Sequence, residues 1–282
     1  MGAVLMLLAS ASFATMAAMV KAIGPGIPMT QLVFLRCLLA LPVLFLFIRQ
    51  LSLPALVKAR GVLVIRTLLG MTAMHAFFYA LTHMPLADCI FIGRVQPLLL
   101  ALFAPLVLGE SAPRSAWFAI ATGLAGVGLV MTPGVNWSLA GAVAFGGAAL
   151  SAGAHMLVRR LNRTDQPLII VFNFIFLTGA ISGVWSIPNF VPLTGRQWLL
   201  ISGVAFFASL GQMLMTLAYR RDQAPAVAAA SYSSVILSVF YGAFFWNEVP
   251  GIPALAGAAL ILTGGLFLVK SRFRVSEPAS PP

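Results

Sequence analysis

The chain of 282 residues is 61% hydrophobic and only 8% charged, and its formal net charge is +11. A soluble domain usually carries about 25% charged residues, and one compact core cannot hide this much apolar surface. The composition therefore excludes a soluble globular protein and favours one that lies in a lipid bilayer. The basic residues are scattered between apolar runs, whereas a nucleic-acid partner requires them on one face, so nucleic acid is excluded as a partner.

Ten segments approach the length of about 20 apolar residues that a helix needs to cross a bilayer. They are residues 3–22, 29–48, 62–82, 87–108, 114–132, 138–158, 167–187, 197–217, 224–246 and 252–269. Gly and Pro punctuate most of the breaks between them. No positive charge precedes the first apolar run, so we do not interpret it as a cleaved signal peptide. The Ser/Pro-rich tail, residues 271–282, is predicted to be disordered.

The orientation follows from the Lys and Arg residues in alternate connections and helix ends. One set of ends holds 13 of them and the other set holds only Lys21 and Arg196. The basic side of a membrane protein faces the cytoplasm. We therefore predict a multi-pass protein of the inner (plasma) membrane with both termini in the cytoplasm, and Lys21 is the residue that disagrees.

The second half of the sequence repeats the first with a shift of 138 positions, which aligns Glu110 with Glu248 and Gly126 with Gly264. The predicted halves are residues 1–132 and 133–270, with five helices each. Because five is odd, the two halves have opposite orientations in the membrane. Inverted repeats are typical of secondary transporters, which bind substrate at mid-membrane between the repeats. The prediction is an all-α membrane protein of ten helices around a central cavity.

The fourth segment contains the strongest candidate for substrate binding. Pro97 cannot donate a hydrogen bond to the carbonyl of Gly93, so a kink or local unwinding is expected between them. Arg94 and Gln96 lie in this stretch and can face one cavity only if the helix is distorted. A guanidinium at mid-membrane needs an anion, carbonyls or water. A substrate carboxylate is one possible partner, and Asp88 or backbone carbonyls are the alternative.

Further polar side chains at membrane depth are candidates for the same site, since each is costly in lipid. His75 and Tyr79 are four residues apart and share one helix face. The repeat shift aligns Tyr232 with Arg94 across the pseudo-two-fold axis. The remaining candidates are Gln212, Ser231 and His155. The alternative for each of them is a hydrogen bond that only holds two helices together.

The sequence lacks the residues that several kinds of chemistry require. None of the six acidic residues lies in the middle of a predicted helix, so a carboxylate proton relay is missing and only His75 and His155 could carry a proton. No metal-ligand spacing and no nucleotide-binding motif is present. We expect no catalytic residue, no metal and no cofactor. The alternatives are an integral-membrane enzyme or a channel, and the residues favour a transporter over both.

Several short motifs follow one another in a specific order along the chain. They are Phe34-Leu35-Arg36, Phe77-Phe78-Tyr79-Ala80-Leu81, Gln96-Pro97-Leu98-Leu99, Leu108-Gly109-Glu110, Gly123-Leu124-Ala125-Gly126-Val127-Gly128, Asn247-Glu248 and Gly264-Gly265. In this order the chain resembles the drug/metabolite transporter superfamily, and within it the ten-helix EamA-type transporters.

The resemblance implies a secondary transporter of a small molecule, and an exporter of amino acids is the expectation. The set of Arg94, His75 and Tyr79 is similar to exporters that handle amino acids, including aromatic ones. Nucleoside-linked compounds, drugs and other metabolites are the alternative substrates. The oligomeric state is left open, and a monomer is compatible with the sequence.

Overall fold

The computed structural model describes residues 2–50, 56–108, 114–131, 139–161, 164–221 and 230–274. Within these ranges the chain is helical except for short turns. The helices are α1 Gly2–Ile23, α2 Met29–Gln50, α3 Arg60–His83, α4 Leu86–Gly93, α5 Gln96–Leu108, α6 Arg114–Met131, α7 Leu139–Leu161, α8 Pro167–Ser186, α9 Gly195–Arg221, α10 Ser233–Trp246 and α11 Ile252–Arg274. A short 3-10 helix, Ile187–Asn189, follows α8.

These eleven helices form ten membrane-spanning elements. Helices α4 and α5 make up one element, because only Arg94 and Val95 separate them. Six helices, α1, α2, α3, α7, α8 and α9, each contain an apolar stretch long enough to cross a bilayer. Large apolar side chains such as Ile236, Phe244 and Leu199 are exposed on the outside of the bundle. A lipid environment removes the cost of this exposure, and the fold is that of an all-α membrane protein.

The fourth segment is interrupted at Arg94 and Val95, in the stretch where a kink or local unwinding was expected. Two helices extend furthest beyond the bounds predicted for them. Helix α9 begins at Gly195 and continues to Arg221. Helix α11 continues to Arg274, so residues 271–274 are helical where a disordered tail was expected. The remainder of the tail and residues 224–229 lie outside the described residues.

The two halves pack in a pattern that is almost unchanged when they are exchanged. The counterpart of α1 in the other half is α7, and the counterpart of α9 is α3. Helix α1 packs mainly on α9, and α7 packs mainly on α3. Helix α2 packs on its own counterpart α8, and α6 packs on its counterpart α11. These pairings are those that a two-fold axis between the halves requires. The architecture is therefore two inverted five-helix repeats.

Small residues allow the paired helices to approach closely. Gly179 and Gly183 of α8 face Cys37 and Phe34 of α2, where any added Cβ atom would lie about 3 Å from these side chains. The GxxxG spacing of these two glycines therefore marks a place of close helix packing. Between α6 and α11 the backbones themselves meet, since a Cβ on Gly126 would lie 2.6 Å from a carbonyl oxygen of α11.

The bundle has two ends, which we name after a residue at each. At the Lys21 end, the side chain of Gln31 donates to the Val191 carbonyl at 2.8 Å and accepts from the Val191 N–H at 3.0 Å. At the Arg60 end, the Lys58 N–H donates to the Asp165 carboxylate at 2.9 Å. Each contact joins a turn or helix start in one half to a loop in the other.

Candidate functional site

Helices α4 and α5 meet at a break that the sequence explains. Arg94 follows the last residue of α4, and its N–H donates to the carbonyls of Ile90 and Phe91. The N–H groups of Leu98 and Leu99 both donate to Val95, which starts the next helix. Pro97 lies in the first turn of α5, a position where its missing N–H costs nothing. The interruption therefore lies between Gly93 and Pro97.

A second break lies at the equivalent place in the other half. Residues 230–231 are helical, Tyr232 forms a turn, and α10 begins at Ser233. The shift of 138 positions carries Arg94 onto Tyr232, so the two breaks are related by the repeat. An Arg94 Nη2 group donates to the Ser234 hydroxyl in the first turn of α10. This hydrogen bond links the two broken elements, and hence the two halves, at membrane depth.

Helix α3 supplies two of the candidate residues. The Nδ1 atom of His75 is 2.8 Å from the carbonyl oxygen of Met71, and its Nε2 atom is buried with no partner among the described residues. Tyr79 stacks on His83, with ring centroids 4.0 Å apart. A ring nitrogen without a partner is a group that can bind a ligand. His75 therefore keeps a binding atom available, while Tyr79 has an aromatic partner on its own helix.

The other candidates lie on different elements. Gln96 begins α5 and Gln212 lies on α9, and both are partly buried. The carbonyl of Ser231 accepts hydrogen bonds from the hydroxyls of Ser10 and Ser234. The hydroxyl of Tyr232 lies against Gly265 of α11, where it would overlap any added Cβ atom. Glycine at position 265 therefore makes room for Tyr232.

His155 on α7 is solvent-accessible, although it lies on the inner face of its helix. Ala148 and Ala152, seven and three residues before it, are buried in the central cluster, and residues at these spacings share one face. The Nδ1 atom of His155 is 2.8 Å from the carbonyl oxygen of Ser151. The exposure of a residue on the inner stripe indicates a space inside the bundle.

A charged cluster at the Lys21 end was missed by sequence reasoning. The Lys21 ammonium is 2.8 Å from one carboxylate oxygen of Glu248 and donates to the Met84 carbonyl at 2.7 Å. The other oxygen of Glu248 accepts from the N–H of Leu86, the first residue of α4, at 3.0 Å. Glu248 thus caps α4 of the other half.

Asp88 lies in the first turn of α4 and within electrostatic range of both Lys21 and Glu248. We call Lys21, Asp88 and Glu248 the Lys21 cluster. A signal for it was present in the sequence: Lys21 disagreed with the basic-residue count. A lysine at the end of a membrane helix needs an acidic partner, and Glu248 ends up on the same side as Lys21.

Arg66 is the other residue that sequence reasoning placed incorrectly, because it was counted among the basic helix ends. It lies inside α3, and its guanidinium carbon is 3.4 Å from the ring centroid of Phe174 on α8. Its Nε and Nη1 atoms are buried and have no hydrogen-bond partner among the described residues. No group of three or more His, Cys, Asp or Glu residues suited to a metal ion occurs in the described part of the chain.

Similarity to known proteins agrees with this architecture. The family model for the EamA-like transporter family matches twice, at residues 1–132 and 138–270. The pseudopaline exporter of Pseudomonas aeruginosa is 30% identical to this chain over 275 residues, with 96% of each chain covered. The riboflavin transporter of Rhizobium johnstonii is 26% identical over 213 residues, covering 74% of this chain and 70% of its own.

A solved crystal structure superposes with a TM-score of 0.70, covering 98% of this chain and 99% of the other. The two sequences are 20% identical, and at this level the likeness shows the fold alone.

Proposed function

Because the chain belongs to the EamA-like transporter family of membrane transporters, we propose that it is a secondary transporter that exports small carboxylate-bearing metabolites by alternating access. The observation that carries this proposal is the position of Arg94, at a helix break and in contact with Ser234 beside the second break. Broken helices paired in this way form substrate sites in transporters built from inverted repeats. A guanidinium binds a carboxylate through two parallel hydrogen bonds.

We propose that Arg94 holds the carboxylate and that His75, Tyr79, Gln96 and Tyr232 surround the rest of the substrate. Gln212, Ser231 and His155 complete the proposed set. Amino acids, including aromatic ones, fit an anionic group next to aromatic side chains. The relatives named above are called a pseudopaline exporter and a riboflavin transporter. These names favour export of a metabolite in general, so the test panel extends beyond amino acids.

We propose that the Lys21 end faces the periplasm of the inner membrane and the Arg60 end faces the cytoplasm. The Lys21–Glu248 ion pair joins α1 of the first half to the α10–α11 loop of the second. An exporter has to separate its halves at the periplasmic end to release substrate. In this proposal the Lys21 cluster holds that end closed and breaks when the transporter opens outward, while residues 1–132 and 133–270 move as two units.

The test is counterflow with the purified full-length protein in proteoliposomes. The panel contains radiolabelled aromatic and aliphatic amino acids and other small carboxylates, together with the amides that lack the free carboxylate. We expect uptake of at least one carboxylate compound and of none of the amides. Arg94→Ala should lower the initial rate at least tenfold. Arg94→Lys keeps the charge but loses the planar fork, and it should also impair transport.

The matched control is Arg49→Ala, because Arg49 is exposed in the last turn of α2. We expect it to transport at the wild-type rate. A folded Arg94→Ala protein with the wild-type rate would show that Arg94 does not contact the substrate. Equal transport of an acid and its amide would show that the site does not recognise a carboxylate.

We further propose that flux follows the gradient of the substrate itself. A proton-driven cycle needs a group in the site that gains and loses a proton, and His75 and His155 are the groups available among the proposed site residues. With equal substrate on both sides of the vesicle membrane, an imposed pH gradient should drive no net movement. Uphill accumulation that disappears in His75→Gln would instead make His75 the coupling residue.

A further inference from the structure

Arg66 has hydrogen-bond donors that the protein does not satisfy. Its guanidinium stacks on Phe174, and the ring covers one face of the group but accepts none of its in-plane N–H groups. The buried Nε and Nη1 atoms have no partner among the described residues. Each buried donor left unsatisfied costs about 1–3 kcal/mol. The unsatisfied donors of Arg66 therefore lower the stability of the fold, so the role of this residue is one other than stabilisation.

The surroundings of Arg66 contain a second group that can bind an anion. His155 lies on α7, within electrostatic range of Arg66, and is solvent-accessible from the inner face of the helix. Its Nδ1 atom faces the carbonyl of Ser151 at 2.8 Å, so the Nε2 atom is the one turned toward other ligands. The Ser151 hydroxyl is 3.4 Å from the same ring. We call Arg66, Ser151, His155 and Phe174 the Arg66 cluster.

The charges inside the described spans do not balance. Arg36 donates to the sulfur of Met74, a weak acceptor. No described carboxylate lies within 4.0 Å of Arg36 or of Arg66. Asp88 is buried on a described spanning element, but it lies beside Lys21. Among the described residues, Arg36 and Arg66 therefore lack a carboxylate that would offset their charge.

Arg66 lies at a different depth from Arg94. Gly93 is next to Phe77 of α3, which is eleven residues beyond Arg66, or about 16 Å along a helix. The Arg66 side chain reaches toward Gly70, where an added Cβ would lie 3.3 Å from Nη1. Arg66 Nη1 therefore lies near the level of Gly70, about 10 Å along the helix axis from the level of Phe77 and Gly93, beside which Arg94 follows. One small anion cannot span that distance, but an elongated molecule with an anionic group at each end can.

We propose that the Arg66 cluster is a second anion-binding site and that the transported molecule carries at least two negatively charged groups, one for Arg94 and one for Arg66. This inference rests on the proposed function and narrows its carboxylate-bearing substrates to elongated molecules with two or more carboxylates. Such a substrate neutralises both guanidinium groups in one binding event. The unsatisfied donors of Arg66 then find their partner during transport.

The test uses two probes of nearly equal length: suberate, with a carboxylate at each end, and its monomethyl ester, with one. Binding to the purified full-length protein is followed by tryptophan fluorescence and by competition in the counterflow assay. The wild-type protein should bind suberate at least tenfold more tightly than the ester. In Arg66→Gln this preference should disappear because suberate binds as weakly as the ester, while the affinity for the ester is unchanged. Arg66→Lys should keep part of the preference.

The matched control is Arg60→Gln, which removes an exposed arginine from the first residue of the same helix. It should keep the full preference for suberate. Equal binding of the two probes by the wild-type protein, or an equal loss of both in Arg66→Gln, overturns the proposal and leaves a single-carboxylate site intact. Binding of neither probe by the folded wild-type protein overturns the proposed carboxylate site as well. Should Arg66→Gln fail to fold, Arg66→Lys is measured instead, and an equal loss of binding of both probes in that variant overturns the proposal.

Discussion

The Lys21 cluster and the Arg66 cluster both place a basic residue among apolar helices, but they treat its charge differently. Lys21 has a carboxylate at 2.8 Å, a carbonyl at 2.7 Å and the ring of Trp246 nearby. Arg66 has the face of Phe174 and two buried donors for which the described part of the chain offers no partner. One charge is bound by the protein, whereas the other is left available.

This difference separates a structural role from a binding role. Removing one partner from a buried ion pair leaves an uncompensated charge and is strongly destabilising. Removing a charge that has no partner takes away a cost instead. The two clusters should therefore respond to neutralisation with opposite signs, and each of the following experiments tests a part of that contrast.

The largest expected effect is a difference in labelling from outside the cell between the Lys21 end and the Arg60 end of the bundle. A cysteine introduced at Gly195 should react with an impermeant maleimide added to intact cells, because the Lys21 end is predicted to face the periplasm. A cysteine at Thr164 should react only after the membrane is opened. Both positions are exposed, and the native Cys37 and Cys89 are buried. The reverse pattern would place the Lys21 cluster at the cytoplasmic end and would contradict the predicted topology.

The next effect is the loss of stability on breaking the Lys21 cluster. The Lys21 side chain is 9% exposed and that of Glu248 is 25% exposed. Glu248→Gln leaves the ammonium without its counter-charge and weakens the cap on α4, so we expect a loss of about 2 kcal/mol in unfolding free energy. Thermal unfolding of the detergent-solubilised protein measures this. The double variant with Lys21→Met should recover part of the loss, and a sum of two independent losses would argue against direct coupling.

Neutralising Arg66 should act in the opposite direction. Arg66→Met removes two unsatisfied buried donors and gives up the contact with Phe174, which is worth about 1–2 kcal/mol where desolvated. The balance is a stability that rises by about 1 kcal/mol while transport of dicarboxylates falls. The same unfolding assay, run beside counterflow, checks both quantities. A drop of more than about 1 kcal/mol would mean that Arg66 holds α3 and α8 together and has a structural role.

Much of the fold could be predicted because the bilayer imposes it. Apolar length and basic-residue alternation led to ten spans, and the odd number in each half implied inverted repeats. Pro97 marked the distortion of the fourth element, where a kink or local unwinding was expected. The hydrophobicity of the segment does not show that this distortion is a break of two residues between two helices. The last helix is longer than predicted because a count of apolar residues ends a helix where the apolar run ends, whereas the helical backbone continues to Arg274.

The site was harder to predict because its contacts join distant parts of the chain. The repeat shift brought Tyr232 opposite Arg94, but only the packing revealed Ser234 as the partner of Arg94. Arg66 was counted as a topology signal, and its burial beside Phe174 depends on how α3 and α8 meet. A sequence lists the charges in a membrane protein, whereas the pairing of those charges is a property of the packed helices.

The smallest expected effect is the change in unfolding free energy at Asp165. This acidic residue lies at the Arg60 end and serves there as the control for Glu248. Its carboxylate accepts from the Lys58 N–H at 2.9 Å and from the Thr164 hydroxyl at 2.7 Å, and both contacts are exposed. Exposed contacts of this kind contribute about 0–1 kcal/mol, because water competes for the same groups. Asp165→Asn should therefore lower the unfolding free energy by less than about 1 kcal/mol and leave counterflow unchanged. A loss as large as that of Glu248→Gln would mean that burial does not distinguish the acidic groups at the two ends, and the contrast between them would no longer explain their roles.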